Sequence, residues 1–219
     1  MVEKDSYKTI ATPSSGEFKD RGSKFIATAY PVGDEEEALG KVAESRKEHP
    51  KARHHCFAWR FGVDGQRFRA NDDGEPSGTA GRPILGQIDS FELTNIVVIV
   101  VRYFGGTLLG TSGLIQAYRE STAEALRQAT IEERVVELTC RIRFDYAHMS
   151  PVMNAIKKLG YTMTRQDFGE HPEVDIAIRL GEREQGLRLL KSQIGDLHLE
   201  EVTDETALEG VEIEFLEEK

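Results

Sequence analysis

A polar, glycine-rich run at residues 71–83 constrains the fold of this chain more than any other stretch. Its thirteen residues hold three carboxylates, two hydroxyls, three glycines, two prolines and one arginine. Such a run is unsuited to a hydrophobic core, so we expect it at the surface between two regular elements. Its glycines allow positive φ angles and close approach of the backbone to a neighbour. The run is either a simple connection or a loop that carries function.

A helix is predicted directly after this run, over residues 80–88. Ser77 or Thr79 would cap it, and Pro83 is tolerated in its first turn. The free N–H groups of that turn would then face outward beside Arg82, where an anion can bind.

Charge is distributed unevenly along the 219 residues. Residues 1–134 hold 18 Lys+Arg against 20 Asp+Glu, a net charge of −2, and residues 135–219 hold 10 against 18, a net charge of −8. Strong nonspecific nucleic-acid binding needs a basic face, so any contact with nucleic acid would come from a local patch.

The sequence predicts a cytoplasmic protein that does not enter a membrane. Its longest apolar run, at 96–101, is far shorter than a bilayer span, and its N-terminus has no secretory signal. Cys56 and Cys140 are distant in sequence and form no C-x-x-C pair, which favours reduced thiols.

Two domains are predicted, with a boundary at residues 132–134. Residues 1–134 read as a mixture of strands and helices, and the apolar run near residues 95–102 is typical of a strand covered on both faces. The predicted strands are 7–11, 23–30, 54–61, 67–69 and 95–102, and the predicted helices begin after Asp34, Thr79 and Gly113. Residues 135–219 follow a β-α-β-β-α-β order, which indicates a ferredoxin-like domain.

Some polar residues are of the types that bind metal ions or act in hydrolases. His54 and Cys56 share one strand face, but two ligands are too few for a structural zinc site. The acids of the 71–83 run suit Mg²⁺ beside a phosphate, or they pair with nearby arginines. The chain has the residue types of a hydrolase triad, but their spacing does not indicate a triad. These residues are Ser77, Ser112, His55 and Asp73. We therefore assign no metal, cofactor or catalytic residue.

A second glycine-rich turn, Gly105 to Gly113, also precedes a helix. It lacks the lysine of a phosphate-binding Walker loop, because Thr111 stands at that position, and it is not a G-x-G-x-x-G fingerprint. It retains the ability to accept a phosphate or a backbone at a helix N-terminus. Basic residues lie in or beside these turns and would either contact RNA, together with Tyr103 and Phe104, or pair internally with the acids; they are Arg21, Lys24, Arg82 and Arg102.

Several motifs together resemble the IMPACT/YigZ family. They are His54-His-Cys56, the run from Asp72 to Pro83, Arg102-Tyr-Phe-Gly-Gly106, Leu109-Gly110, Gly113-Leu114 and Ala117-Tyr118. The segment Arg21-Gly-Ser-Lys-Phe-Ile26 is similar to that family's Lys-Ser-Arg-Phe-Ile motif, with the basic residues rearranged. The resemblance covers nearly the whole chain.

The resemblance implies an α+β protein of two domains. The N-terminal domain would be ribosomal-protein-S5-domain-2-like and the C-terminal domain ferredoxin-like, as in the last two domains of elongation factor G. Eukaryotic members regulate translation through a scaffold protein that activates an initiation-factor kinase.

We therefore predict a non-enzymatic protein that engages RNA, the ribosome or a translation-regulatory protein through its glycine-rich surface. An enzyme that uses Asp72, Asp73 and Glu75 for hydrolase or phosphate-ester chemistry is the alternative, and a scaffold that uses the C-terminal sheet is a third possibility. The predicted binding residues are Arg21, Lys24, His55, Asp72, Asp73, Glu75, Ser77, Gly78, Thr79, Gly81, Arg82, Arg102, Tyr103, Gly105 and Gly106.

Overall fold

The computed structural model describes residues 5–203 and 205–216 and shows a mixed α/β protein. The chain divides into two compact units, an N-terminal unit (Ser6–Arg134) and a C-terminal unit (Asp5 with the residues from Val135 onwards). Among the described residues, every helix is too short or too polar to cross a lipid bilayer.

The N-terminal unit is built on a five-stranded antiparallel sheet of order β2-β3-β6-β4-β5. A separate pair joins β1 to β7. The strands are β1 (Ser6–Ile10), β2 (Ser14–Asp20), β3 (Ser23–Pro31), β4 (His54–Phe61), β5 (Arg67–Asn71), β6 (Ile96–Tyr103) and β7 (Ile131–Val135). The helices are α1 (Glu35–Glu48), α2 (Gly81–Ser90) and α3 (Gly110–Arg127).

Both faces of this sheet are covered, as the sequence predicts for β6. Val98 and Val100 face the core formed with α2 and α3, whereas Val97 and Ile99 face the core formed with α1. The same alternation on β4 places Cys56 towards α2 and α3 and His55 on the opposite face. The apolar run is therefore the central layer of a three-layer unit.

Two local predictions need correction. The prediction of strands at 7–11 and 23–30 omits β2, which turns into β3 through Arg21 and Gly22, at φ 45° and 80°. Positive φ at both turn residues is the geometry of a type I′ hairpin. Helix α3 also begins at Gly110 rather than after Gly113. The Asp34 cap of α1 is confirmed, since its Oδ1 accepts a hydrogen bond of 2.9 Å from the Glu37 N–H.

The C-terminal unit has the β-α-β-β-α-β order expected from the sequence. Its elements are β8 (Glu137–Phe144), α4 (Met149–Leu159), β9 (Thr162–Asp167), β10 (Glu173–Arg179), α5 (Arg183–Gly195) and β11 (Val211–Phe215). The antiparallel sheet has the order β11-β8-β10-β9, and both helices pack their apolar sides on one of its faces. The other face carries ion pairs, including a two-point contact of 2.7 and 2.8 Å between Arg141 and Asp175.

Candidate functional site

Strand register brings the motifs described in the sequence to one end of the five-stranded sheet. Lys24 at the start of β3 pairs with Tyr103 at the end of β6, and Arg102 pairs with His54 at the start of β4. Strand β5 ends at Asn71, from which the 71–83 run leads into α2. We call residues 71–83 and 102–118 the glycine-rich surface.

Asp72 organises the run by capping α2 from a distance. Its Oδ1 accepts hydrogen bonds from the Ala80 and Gly81 N–H groups, at 3.0 and 2.8 Å, and its Oδ2 accepts one of 2.8 Å from the Gly78 N–H. Burial would raise the pKa of Asp72, but these three hydrogen bonds outweigh it and lower the pKa. The carboxylate is therefore ionised and fixed.

This cap corrects two sequence predictions. Ser77 is exposed and Thr79 donates to the Pro76 carbonyl at 2.7 Å, so neither caps the helix. The anion position expected at the start of α2 is filled by the chain's own Asp72 carboxylate. Arg82 is exposed beside it.

Asp73 ties the run to α1 and β4. Its Oδ1 accepts a 2.6 Å hydrogen bond from Arg46 Nη2, and its Oδ2 accepts one of 2.6 Å from the His55 N–H. Burial would raise the pKa of Asp73, but the hydrogen bonds from Arg46 and His55 outweigh it and lower the pKa. The residue has a φ of 41°, a strained backbone position held by these contacts.

Glu75 is the centre of a buried polar network. Its Oε1 accepts hydrogen bonds of 2.6 Å from Arg102 Nη1 and 2.8 Å from Tyr118 Oη. The sulfur of Cys56 lies 3.3 Å from Tyr118 Oη and 3.0 Å from the Asp72 carbonyl oxygen. Burial raises the pKa of both the Tyr118 phenol and the Cys56 thiol, so both stay protonated. The network joins the run to β4, β6 and α3.

Arg102 also lies close to two aromatic rings. Its guanidinium carbon is 5.5 Å from the ring centroid of Phe25 and 5.5 Å from that of Phe104. Its Nε is buried and has no hydrogen-bond partner among the described residues. Arg102 is thus a buried structural cation that holds Phe104 at the surface.

Backbone packing joins the β2–β3 turn to the second glycine-rich turn. A Cβ atom on Gly105 would lie 1.9 Å from the carbonyl carbon of Gly22, so only glycine fits there. The Gly105 N–H also donates to Ser23 Oγ at 3.1 Å. This contact sets Arg21 beside the end of β6.

Apart from His55, the predicted binding residues therefore divide into three groups. Asp72, Asp73, Glu75, Thr79 and Arg102 are engaged in internal hydrogen bonds. Lys24 pairs with Glu17 at 2.6 Å, and the Tyr103 hydroxyl lies 2.9 Å from His49 Nδ1. Those exposed at the surface are Arg21, Ser77, Arg82, Gly105 and Gly106, whereas Gly78 is half-buried and Gly81 is buried.

His55 is separated from the other predicted binding residues. It is buried on the α1 face of the sheet, and neither ring nitrogen has a hydrogen-bond partner among the described residues. Burial, and to a smaller extent the nearby Arg46 charge, lowers the pKa of His55, so the ring is neutral at pH 7. This placement gives it no access to a ligand on the glycine-rich surface.

Sequence reasoning missed Arg46 and Tyr118 as partners of the acids. Arg46 is 27 positions from Asp73, and Tyr118 is 43 positions from Glu75. Tyr118 was named only within the Ala117-Tyr118 motif, and its hydroxyl, a group that needs a partner when buried, was the available signal. Within the described residues, no group of three His, Cys, Asp or Glu side chains is placed to hold a metal ion.

Comparison with known proteins agrees with the motifs. A model of the Impact N-terminal domain family matches residues 21–126. The Escherichia coli protein named IMPACT family member YigZ is 37% identical over 150 residues, which cover 68% of this chain and 74% of YigZ.

Two solved structures are also similar. One, titled a crystal structure of a hypothetical protein, is 31% identical with a TM-score of 0.64. The similarity covers 86% of this chain and 92% of the chain in that structure. The structure of the two-domain translational regulator Yih1 is 28% identical, with a TM-score of only 0.34. The similarity covers 56% of this chain and 47% of the chain in that structure. From the match to the family model and the extended identity with YigZ, the chain belongs to the IMPACT family.

Proposed function

We propose that this chain is a cytoplasmic, non-enzymatic protein with a regulatory role in translation. It would engage RNA, the ribosome or a translation-factor partner through the glycine-rich surface. Membership of the IMPACT family is the observation that carries the proposal, because the resemblance associates eukaryotic members with the regulation of translation.

The side chains on the glycine-rich surface support binding rather than chemistry. Each acid of the run is occupied, Asp72 by backbone N–H groups, Asp73 by Arg46 and Glu75 by Arg102. A hydrolase would need one of these carboxylates free to move a proton or hold an ion. The outward charges that remain are cationic, at Arg21 and Arg82, which pair with no carboxylate among the described residues.

We also propose the two finer fold assignments, an S5-domain-2-like N-terminal unit and a ferredoxin-like C-terminal unit. The C-terminal sheet supports the second assignment, because its strands in their own chain order run 4-1-3-2 and are all antiparallel. That order follows from a split β-α-β arrangement. Fold alone does not define function, so these assignments support the translation proposal only by analogy.

Sedimentation with purified ribosomes and with total RNA tests the proposed function. Binding carried by Arg21 and Arg82 should weaken between about 50 and 200 mM salt, because phosphate contacts release counterions. The Arg21→Ala/Arg82→Ala variant should lose most of the salt-sensitive binding. A matched control removes two exposed charges of α4, Lys157→Ala/Lys158→Ala, and should bind as the wild type does. Absence of binding at both salt concentrations would contradict the ribosome and RNA forms of the proposal.

A further inference from the structure

Three large apolar side chains are exposed on the glycine-rich surface. Phe104 is 52% exposed, Leu108 80% and Ile115 38%. All three lie within twelve residues of one another in the sequence, Phe104 and Leu108 between β6 and α3 and Ile115 in the first turns of α3. We call these three residues the apolar patch. Several large apolar side chains exposed within one short stretch of chain are typical of a surface that a partner covers.

Phe104 is held in place before any partner arrives. Its ring lies on the guanidinium of Arg102, which is itself fixed by the 2.6 Å contact with Glu75. An aromatic ring that is already ordered loses little conformational freedom on binding, so it is a favourable anchor in an interface.

The charge around the patch favours an acidic partner. Residues 102–118 contain no Asp or Glu. The acids of the neighbouring run are bound internally, as shown by the contacts of Asp72, Asp73 and Glu75. Arg21 is brought to this end of the unit by the Gly22–Gly105 packing and is exposed. A partner therefore meets apolar side chains beside a cation, Arg21, that pairs with no carboxylate in the part of the chain that the structure describes.

A protein segment fits these features better than RNA does. Leu108 and Ile115 cannot stack on a base or pair with a phosphate, whereas both can bury against an apolar side chain. Residues 1–134 have a net charge of −2, so the surface lacks the extended basic field of a nucleic-acid binder.

We propose that the apolar patch docks a protein segment in which a large apolar side chain is flanked by Asp or Glu. The apolar side chain would pack between Phe104 and Leu108, and a carboxylate would approach Arg21. The inference rests on the proposed function, since it specifies the class of partner that the same surface takes.

Selection from a library of random short peptides displayed on phage tests this proposal. The full chain is the bait, and the Leu108→Ser variant removes peptides that bind elsewhere. We expect enrichment of peptides that combine Asp or Glu with Phe, Trp, Leu or Ile. No enrichment, or enrichment of peptides without acids, would overturn the proposal.

Fluorescence anisotropy of a selected peptide provides the matched comparison. Its affinity should fall about tenfold or more in Leu108→Ser and in Ile115→Ser, because each removes a buried apolar contact. Arg21→Glu should also weaken it. The control Leu39→Ser changes a leucine of α1 that is 40% exposed on the other side of the sheet and should have no effect. Equal effects of Leu39→Ser and Leu108→Ser would overturn the proposal.

A single-stranded oligouridylate serves as the nucleic-acid probe in the same assay. If it binds through Leu108 and no peptide does, the protein-segment proposal fails while the proposed function stands. If neither peptides nor oligouridylate bind and ribosome sedimentation is also negative, the proposed function fails with it.

Discussion

Glu75 Oε1 lies 2.6 Å from Arg102 Nη1, and the two side chains are only 4% and 7% exposed. The pair joins the polar run to the end of β6, and the Tyr118 hydroxyl supplies a further hydrogen bond to the same oxygen. A buried ion pair of this kind fixes geometry more than it adds stability, because both charges are removed from water. The acids of the run and Arg102 thus build the surface instead of facing a ligand.

Glu75→Gln should destabilise the chain by about 3–5 kcal/mol, because it leaves the Arg102 charge buried without a counter-charge. Tyr118→Phe should cost only about 1 kcal/mol, the net value of one hydrogen bond. Urea unfolding measures both. The double variant Glu75→Leu/Arg102→Met should lose less than the sum of its single variants, and additive losses would contradict the coupling.

Asp72→Asn should reduce stability at pH 7 by about 1–3 kcal/mol, because the amide keeps one acceptor oxygen for the start of α2 but leaves the Gly78 N–H facing an NH2 group. The folded-state pKa of Asp72 is lowered, so its contribution is complete above the unfolded pKa and is lost as pH falls through the folded value. Urea unfolding of wild type and variant should therefore converge in strong acid. Ser77→Ala, which removes the cap expected from the sequence, should change stability by less than about 0.5 kcal/mol; a larger loss would contradict the assignment of the cap to Asp72.

Gly105→Ala should be strongly destabilising, because the new Cβ would meet the Gly22 backbone at 1.9 Å. Gly86, on α2, is the matched control: nothing lies within 4 Å of its Cβ position. Gly86→Ala should stabilise the chain by about 0.5–1 kcal/mol, since alanine is the better helix former. Thermal unfolding of the two variants compares these effects, and similar melting temperatures would show that the Gly22–Gly105 contact is not close-packed.

The sequence was sufficient to predict a helix or strand where its pattern was local or repeated. The apolar run predicted β6 with both faces covered, and Asp34 with its acidic first turn predicted the start of α1. Strand β2 was missed because it is mostly polar and contains Gly16. That glycine is required by α3, since a Cβ there would lie 2.3 Å from the Ala125 nitrogen. A contact between elements so far apart in sequence leaves no local signal.

The site was predictable in its residues but not in their roles. The pattern of residues 71–83 identified the acids, yet their spacing could not show that Asp72 caps a helix eight residues away. The partner of Asp73 is Arg46, which lies on α1 and is 27 positions away in the sequence, so no local pattern indicated the pair. Internal pairing was one of two hypotheses for the arginines, and it holds for Arg102.

Site-specific photocrosslinking in cells tests the central claim, that the glycine-rich surface meets a component of the translation machinery. In one variant a benzophenone amino acid would replace Leu108, which is 80% exposed. In a second variant of the same chain it would replace Leu39 of α1. We expect crosslinks from position 108 to a translation factor, a ribosomal protein or ribosomal RNA, with none from position 39. Crosslinks to such components from position 39 alone, or from neither position, would contradict it.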